Sequence, residues 1–165
     1  MLVVVADTSP LNYLIRLGHS NVLQEIYGRV LVPRAVLVEM QHPEAPPEVR
    51  AWAAAPPAWL EVMLVQQIDK TLIPELGIGE REAISLALEV HADVLLIDDW
   101  AGRQEAAMRH VEVAGTLAIL LQASLHGQFE FPEVLKVLCQ YGFRASRPLI
   151  TTVLARYEQA KKTKS

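Results

Sequence analysis

Carboxylates directly follow short apolar runs at two distant points of this sequence. Asp98 and Asp99 come straight after residues 94–97, and Asp7 comes straight after residues 2–6. A single acid after a strand would be ordinary turn chemistry, but two adjacent acids call for another explanation. In an open parallel sheet, binding sites form beyond the carboxyl ends of the strands. If the two apolar runs are neighbouring strands, these carboxylates therefore enter one crevice.

Two glutamates have a comparable placement. Glu39 lies six residues after Pro33, on a predicted helix that follows the apolar run 30–32. Glu80 opens a predicted helix just after a segment with two glycines, which permit a tight turn. The helix dipole favours the ionised form of a carboxylate in the first turn. Both side chains can therefore join the same crevice as anions.

Several carboxylates in one crevice repel each other, and this restricts the chemistry. Two unit charges ~4 Å apart interact by about 4 kcal/mol at an effective dielectric constant of 20. Some of the acids must then bind protons, or a cation must join them. Oxygen ligands without His or Cys favour Mg²⁺ or Mn²⁺ over zinc. Such ions polarise phosphate oxygens and lower the pKa of bound water, so the pattern indicates phosphodiester hydrolysis.

Each acid also has an ordinary structural interpretation. Asp7 can be a turn or helix cap, and Asp98 and Asp99 can be a pair at a helix start. Glu80 can complement a helix dipole at the surface, and Glu39 can be a solvated helix residue. The individual signals are weak, and the joint placement of the acids is what supports a shared site.

The elements that must position these acids alternate between strands and helices. Continuous aliphatic runs without polar alternation are typical of strands buried on both faces of a parallel sheet. The predicted strands are residues 2–6, 30–32, 62–65, 94–97 and 111–113. Predicted helices cover residues 10–17, 35–40, 48–54, 80–91, 102–109, 116–125, 132–141 and 146–161. This alternation predicts an α/β fold with a mostly parallel sheet of four or five strands.

Length and composition predict one domain over residues 1–165. The 165 residues are 52% apolar and 21% charged, which suffices for one core and argues against disorder. Residues 41–60 contain five prolines and are interpreted as a surface excursion. Residues 162–165 are interpreted as a frayed tail.

The charge and the cysteine usage exclude several classes of protein. The net charge of −4 is opposite to that of a generic basic nucleic-acid binder, so any nucleic-acid contact must be local or depend on a metal ion. The single cysteine, Cys139, excludes an internal disulfide or a cysteine-based zinc site, and we expect it to be buried. No stretch approaches the ~18 apolar residues of a membrane span, and we expect a cytoplasmic location.

Four segments together resemble the motifs of PIN-domain nucleases, across residues 2–150. The first is Asp7-Thr8-Ser9-Pro10-Leu11, after an N-terminal strand. The others are Pro33 to Glu39, Gly79 to Ala87, and Leu95 to Asp99 followed by Gly102-Arg103 and then by Gly115-Thr116-Leu117. The sequence is most similar to a VapC-like branch often labelled only as a domain of unknown function.

This resemblance implies a three-layer α/β/α sandwich and Mg²⁺- or Mn²⁺-dependent ribonuclease activity on RNA. It also implies a toxin of a toxin–antitoxin pair, a homodimer and inhibition by a small antitoxin protein. The implied catalytic set is Asp7, Glu39, Glu80, Asp98 and Asp99, of which all but Asp99 are the implied metal ligands. The resemblance also implies that Ser9 is a hydroxyl near the site, where it can contact the substrate. Arg103 is a candidate contact for a substrate phosphate, and it can equally form a surface ion pair with Asp99 or Glu105.

The sequence departs from the family pattern at two places. Glu80 stands where much of the family has Asp, and Asp98-Asp99 replaces a Thr or Ser, a spacer and an Asp. Of the two adjacent acids we favour Asp98 as the ligand, because it ends its strand as Asp7 does. If neighbouring residues point in opposite directions, Asp99 lies at the rim or caps the next helix.

Two other functions compete with this interpretation. The first is a non-catalytic PIN-like module that acts through protein contacts. The second is a phosphatase of another α/β family with Asp7 as the nucleophile. Ser9 disfavours the phosphatase, because the haloacid-dehalogenase type places a second Asp at that position.

Overall fold

The computed structural model describes residues 2–164, which form two compact units. The first unit ends at Thr116 and contains all the strands of the described chain; the second begins at Leu117 and is helical. The proposed single domain over residues 1–165 stays a prediction. No helix within residues 2–164 is both long enough and apolar enough to span a membrane.

The first unit is built on a sheet of five parallel strands. These are β1 (Val4–Ala6), β2 (Val30–Pro33), β3 (Leu60–Met63), β4 (Val94–Leu96) and β5 (Val113–Ala114). Their order across the sheet is β3-β2-β1-β4-β5, with β3 and β5 at the edges. The prediction of an α/β fold with a central parallel sheet is confirmed.

The helices of the first unit lie between these strands in the sequence. They are α1 (Thr8–Arg16), α2 (Val22–Tyr27), α3 (Arg34–Met40), α4 (Pro47–Ala54), α5 (Ile78–Glu89) and α6 (Trp100–Met108). Helix α4 and the residues around it correspond to the proline-rich excursion, with the Trp52 and Trp59 rings 6.0 Å apart. The sequence pattern does not predict α2, because this helix has only two buried residues, Val22 and Leu23, and so a weak helical periodicity.

The central strands are apolar because both of their faces are buried. Val5 pairs with Leu31 and Leu95, and all three belong to a core cluster with Ile84 and Ala87 of α5. Neighbouring side chains in a strand point to opposite faces, so Val4, Ala6 and Leu96 fill the other face; all three are fully buried. Burying one such aliphatic side chain contributes roughly 1.5–3 kcal/mol. The strand ends that carry the acids are therefore firmly fixed.

The second unit has three helices. The first of them begins at Thr116, the last residue of the first unit. They are α7 (Thr116–Leu125), α8 (Phe131–Gln140) and α9 (Arg147–Lys164). Within this unit the ring of Tyr157 in α9 packs at a tilt against that of Phe131 in α8, with ring centroids 5.7 Å apart. The helix α9 reaches Lys164, and Ser165 of the proposed frayed tail lies outside the described residues.

The expectation that Cys139 is buried is wrong. The buried residues of α8 are Phe131, Val134, Leu135 and Leu138, a stripe with helical spacing. Cys139 lies one position beyond this stripe, and its side chain is exposed.

Candidate active site at the carboxyl end of the sheet

Asp7 occupies the centre of the candidate site. It is the single residue between the end of β1 and the start of α1, and its backbone N–H donates to the carbonyl of Leu96 over 2.8 Å. Because β1 and β4 are adjacent and parallel, this bond fixes Asp7 beside the end of β4. Its side chain is only 3% exposed. A buried acid at this position needs compensation for its charge.

The surroundings of Asp7 disfavour its negative charge. Burial, and then the charges of Glu80, Glu39 and Asp98, raise the pKa of the carboxyl from 3.8 to about 7, against the lowering effect of a hydrogen bond from the Thr8 backbone. The Oδ1 atom is buried and has no hydrogen-bond partner. Asp7 is thus an incompletely satisfied acceptor in a negative field.

Glu39 reaches the same point from α3. Its carboxylate accepts a hydrogen bond from the Thr8 hydroxyl. A Cβ atom placed on Gly79 would lie 2.8 Å from Oε2 of Glu39 and 3.5 Å from Oδ1 of Asp7. The absence of a side chain at Gly79 therefore leaves the room in which these two carboxylates converge.

Glu80 approaches from the first turn of α5. A Cβ atom on Gly77, the residue at the N-cap of this helix, would lie only 2.6 Å from Oε2 of Glu80. The glycines on both sides of Ile78 thus make space for two different acids of the site, Glu80 and Glu39.

Asp98 follows β4 and has a defined pair of donors. Its Oδ1 accepts from the backbone N–H of Thr116 over 2.7 Å, and its Oδ2 accepts from the Thr116 hydroxyl over 2.6 Å. Burial and the charge of Asp98 raise the pKa of Tyr13 on α1. Thr116 therefore fixes the orientation of Asp98, and Tyr13 lies within its electrostatic reach.

Asp99 has a different task from its neighbour. It is the N-cap of α6, and its Oδ2 accepts from the backbone N–H of Gly102 over 2.8 Å. The residue is exposed, and it is not among the acids that raise the pKa of Asp7. The two adjacent acids thus differ in their contacts, as alternation of the backbone predicts.

The candidate substrate contacts lie near this group. Arg103 donates from Nη1 to the carbonyl of Ile97 over 3.0 Å. A Cβ atom on Gly115 would lie 2.9 Å both from that nitrogen and from Oδ1 of Asp98, so the Arg103 guanidinium is close to the site. Ser9 is partly buried in the first turn of α1, two residues after Asp7.

The acids of the site are not neutralised by the ion pairs found within the first unit. Over residues 2–116, those pairs join Arg16 to Glu48, Arg29 to Glu61, and Arg109 to both Asp69 and Glu105. None of these pairs includes Asp7, Glu39, Glu80 or Asp98. Glu39, Glu80 and Asp98 therefore retain their repulsion of Asp7, whereas Asp99 lies outside this group.

The donor set fits a hydrated hard cation. Across residues 2–164, no three Asp, Glu, His or Cys side chains are arranged to hold a metal ion directly. Mg²⁺ commonly keeps several water ligands and binds to only one or two carboxylates of the protein. The unpartnered Oδ1 of Asp7, in the field of three other acids, offers such a contact.

Three polar residues of this site received no role from the sequence. Thr8 donates a hydrogen bond to Glu39, and Thr116 donates one to Asp98. The pKa of Tyr13 is raised by burial and by the charge of Asp98. Thr8 and Thr116 lie inside the quoted motifs, next to glycine or to an acid, which was the available signal. Tyr13 lies six residues from Asp7 on an amphipathic helix, and its sequence context gives no such signal.

Comparison with known proteins identifies the family. A family model with the description DUF3368, PIN domain, matches residues 3–159, which is most of the chain. A comparison with curated proteins gives no match. PIN domains are typically nucleases that use divalent metal ions. With a buried acid at the end of β1, surrounded by three more, and a match over this length, the chain belongs to the PIN-domain family.

Proposed function

We propose that this protein is a Mg²⁺- or Mn²⁺-dependent endoribonuclease that hydrolyses RNA phosphodiester bonds. The observation that carries the proposal is the state of Asp7, a buried carboxylate with an unpartnered oxygen beside Glu39, Glu80 and Asp98. A structural carboxylate in such a place is normally paired with a cation or with donors. A site that leaves several acids uncompensated is suited to binding a divalent ion.

The proposed roles follow the placement of the side chains. Asp7, Glu39 and Asp98 would hold the ion, partly through water, and Thr8 and Thr116 would keep the last two carboxylates oriented. A bound Mg²⁺ or Mn²⁺ would polarise a phosphate oxygen of the substrate and lower the pKa of a bound water. Glu80 would support a second ion or orient the attacking water. Arg103 and Ser9 would contact the phosphate.

The test compares two carboxylates at opposite ends of the sheet. Asp7→Asn should abolish Mn²⁺-dependent cleavage of a single-stranded RNA and weaken Mn²⁺ binding in a calorimetric titration. Asp93→Asn is the matched control, because Asp93 precedes β4 at the opposite end of the strands, where its side chain accepts from the backbone N–H of Val3. The control should cleave and bind like the parent. An Asp7→Asn variant that cleaves as fast as the parent would refute the proposed mechanism.

The same titration separates the nuclease from a non-catalytic interaction module. A module that acts only through protein contacts has no need of the ion, so Mn²⁺ would release no heat at concentrations up to the millimolar range. Heat with the parent that is lost with Asp7→Asn supports the nuclease, because the unpartnered Asp7 oxygen is then the binding atom.

We further propose that the protein is the toxin of a toxin–antitoxin pair in the cytoplasm, that it forms a homodimer and that a small antitoxin inhibits it. Membership of the PIN-domain family supports this role. An exposed apolar surface also supports a protein partner: Val38, Val62 and Leu64 line a groove of about 320 Å³ between α3 and the edge strand β3. Sedimentation of the parent and of Leu64→Glu tests the dimer, and growth arrest on expression tests the toxin role.

A further inference from the structure

Trp100 is the most exposed of the large apolar side chains among the described residues. It is 74% exposed, and Ile78 follows with 68%. Trp100 is the first residue of α6, and Ile78 is the first residue of α5. Both positions therefore lie directly beside acids of the candidate site, Trp100 after Asp98 and Asp99, and Ile78 before Glu80.

An exposed indole contributes little to the stability of the fold. A tryptophan normally stabilises a core or an interface because it buries 150–250 Å² of surface. Trp52 and Trp59 pack against each other, as is usual for this residue type. Trp100 is 74% exposed and so gains little of this burial, and its position directly after Asp98 and Asp99 leaves its ring available to a ligand of the site.

Electrostatics decide which kind of ligand contact the site needs. The protein has a net charge of −4, and the acids around Asp7 repel phosphates. A nucleic acid is therefore not held by a broad basic surface of the kind that usually supplies affinity. Stacking of bases on aromatic rings provides affinity without charge.

We propose that Trp100 stacks on an unpaired base of the RNA strand, next to the phosphate that is cleaved. This inference rests on the proposed ribonuclease function and adds to it a specific contact between the protein and a base of the RNA. Base faces are accessible to a side chain only where the strand is unpaired, because the bases of a duplex stack on each other. Trp100 follows Asp98 by two residues, so its backbone lies beside one of the proposed metal ligands.

Arg103 complements this contact on the same helix. Residues three apart in a helix are neighbours on its surface, so Trp100 and Arg103 share one side of α6. One N–H group of the Arg103 guanidinium donates to Ile97, and a guanidinium has five. A base on the indole and a phosphate on Arg103 would thus be held within one turn of helix.

The experiment measures binding separately from cleavage. A labelled eight-nucleotide single-stranded RNA is titrated with protein in Ca²⁺, and its fluorescence anisotropy is recorded while gel analysis verifies that the RNA stays intact. Trp100→Ala should weaken binding by ~5- to 150-fold, the range for loss of one base stack. Trp100→Phe should retain most of the affinity. Met108→Ala is the matched control, because Met108 ends the same helix and is 66% exposed.

A second measurement reports on the ring itself. In a Trp52→Phe, Trp59→Phe variant, Trp100 is the sole tryptophan, and the RNA should quench its fluorescence with saturation. An RNA of equal length with abasic nucleotides should not quench it, and a duplex of the same sequence should bind more weakly. All variants should keep the melting temperature of the parent, except those at Trp52 and Trp59.

The outcomes separate this inference from the proposed function. If the parent cleaves RNA but Trp100→Ala binds as tightly as the parent, the stacking role is refuted and the nuclease stands. If the RNA binds and quenches Trp100 but Mn²⁺ produces no cleavage, the nuclease is refuted and the stacking contact stands. If the duplex binds as well as the single strand, or Trp100→Ala changes only the oligomeric state, the stacking role is likewise refuted.

Discussion

Two groups of carboxylates in the first unit contain the same residue types but differ in how their negative charge is compensated. In the arginine-centred network, Arg109 lies 2.8 Å from Asp69 and 3.4 Å from Glu105, and it also donates to the Thr71 hydroxyl. In the candidate site, Asp7 has an unpartnered oxygen and three acidic neighbours. The hydrogen bonds from Thr71 and Arg109 lower the pKa of Asp69 to about 2, whereas burial raises that of Asp7 to about 7.

The contrast teaches how to separate structural from functional acids. Glu105 is 3% exposed, like Asp7, yet its Oε1 accepts from the backbone of Ile73 and its Oε2 faces Arg109. The network thereby fixes the loop that leads into α5. Burial alone does not mark a functional acid; burial without a positive partner does.

The largest expected effect on cleavage comes from the substitutions that distinguish the roles of the two adjacent acids, Asp98 and Asp99. Asp98→Asn should reduce Mn²⁺-dependent RNA cleavage by more than ~100-fold, because even residues that only support a metal ligand cost ~10- to 100-fold. Asp99→Asn should cleave like the parent, because asparagine also caps a helix well. Initial rates for the two variants check this, and equal losses in both would contradict the division of roles.

The next effect concerns the stability of the metal-free protein. The pKa of Asp7 in the folded protein, about 7, lies above its ordinary value of 3.8. Between these two pH values the folded state therefore holds a proton that the unfolded state has lost. The parent should therefore lose stability as the pH rises from about 4 to 7, by up to about 4 kcal/mol at full ionisation.

Asp7→Asn removes this loss. Its melting temperature in EDTA should exceed that of the parent at pH 8 and should match it near pH 4. Each kcal/mol corresponds to about 2–4 °C for a chain of this size. A constant difference between the two proteins across this pH range would show that the charge of Asp7 is not the cause.

Breaking the arginine-centred network should lower the stability of the protein, whereas Asp7→Asn is expected to raise it at pH 8. Arg109→Met leaves the Glu105 carboxylate buried without its cation, and we expect a loss of about 3 kcal/mol in the free energy of unfolding. Urea titrations of this variant and of Arg156→Met, an exposed arginine on α9, provide the measurement. Equal stabilities of the two variants would contradict the structural role.

The smallest effect belongs to the orientation of Asp98. Thr116→Val keeps the shape of the side chain and removes the hydroxyl donor to Oδ2, while the backbone donor to Oδ1 remains. We expect ~10-fold slower cleavage, in the range for loss of a supporting contact to a ligand, with correct folding by circular dichroism. Thr116→Ser, which retains the hydroxyl, should restore the rate.

The sequence predicted the fold well because the apolar runs of the buried strands are unambiguous. Residues 94–97 and 2–6 carry no polar side chain, and both form central strands. The edge strand β3 was placed two residues late, because Val62 and Leu64 are exposed and their apolar character does not report burial. Short edge strands bury one face at most, so their pattern is weak.

The site was predictable only as a group of acids at strand ends. Which acid keeps an unpartnered oxygen depends on packing, which sequence spacing does not encode. Asp69 and Glu105 are carboxylates like Glu80, and Arg109, 40 residues from Asp69, becomes their common partner only in the fold. The hydroxyl donors Thr8 and Thr116 were missed for the same reason.

The abrupt passage from strand to helix at Asp7 has a consequence for protein engineering. Ala6 ends β1 and Thr8 begins α1, so this carboxylate has no loop on either side of it. Insertions or grafted segments there would shift a strand register or a helix, and with it the metal ligand. New substrate preferences should therefore be sought by exchanging side chains at the rim, such as Trp100 and Ile78, with the backbone length unchanged.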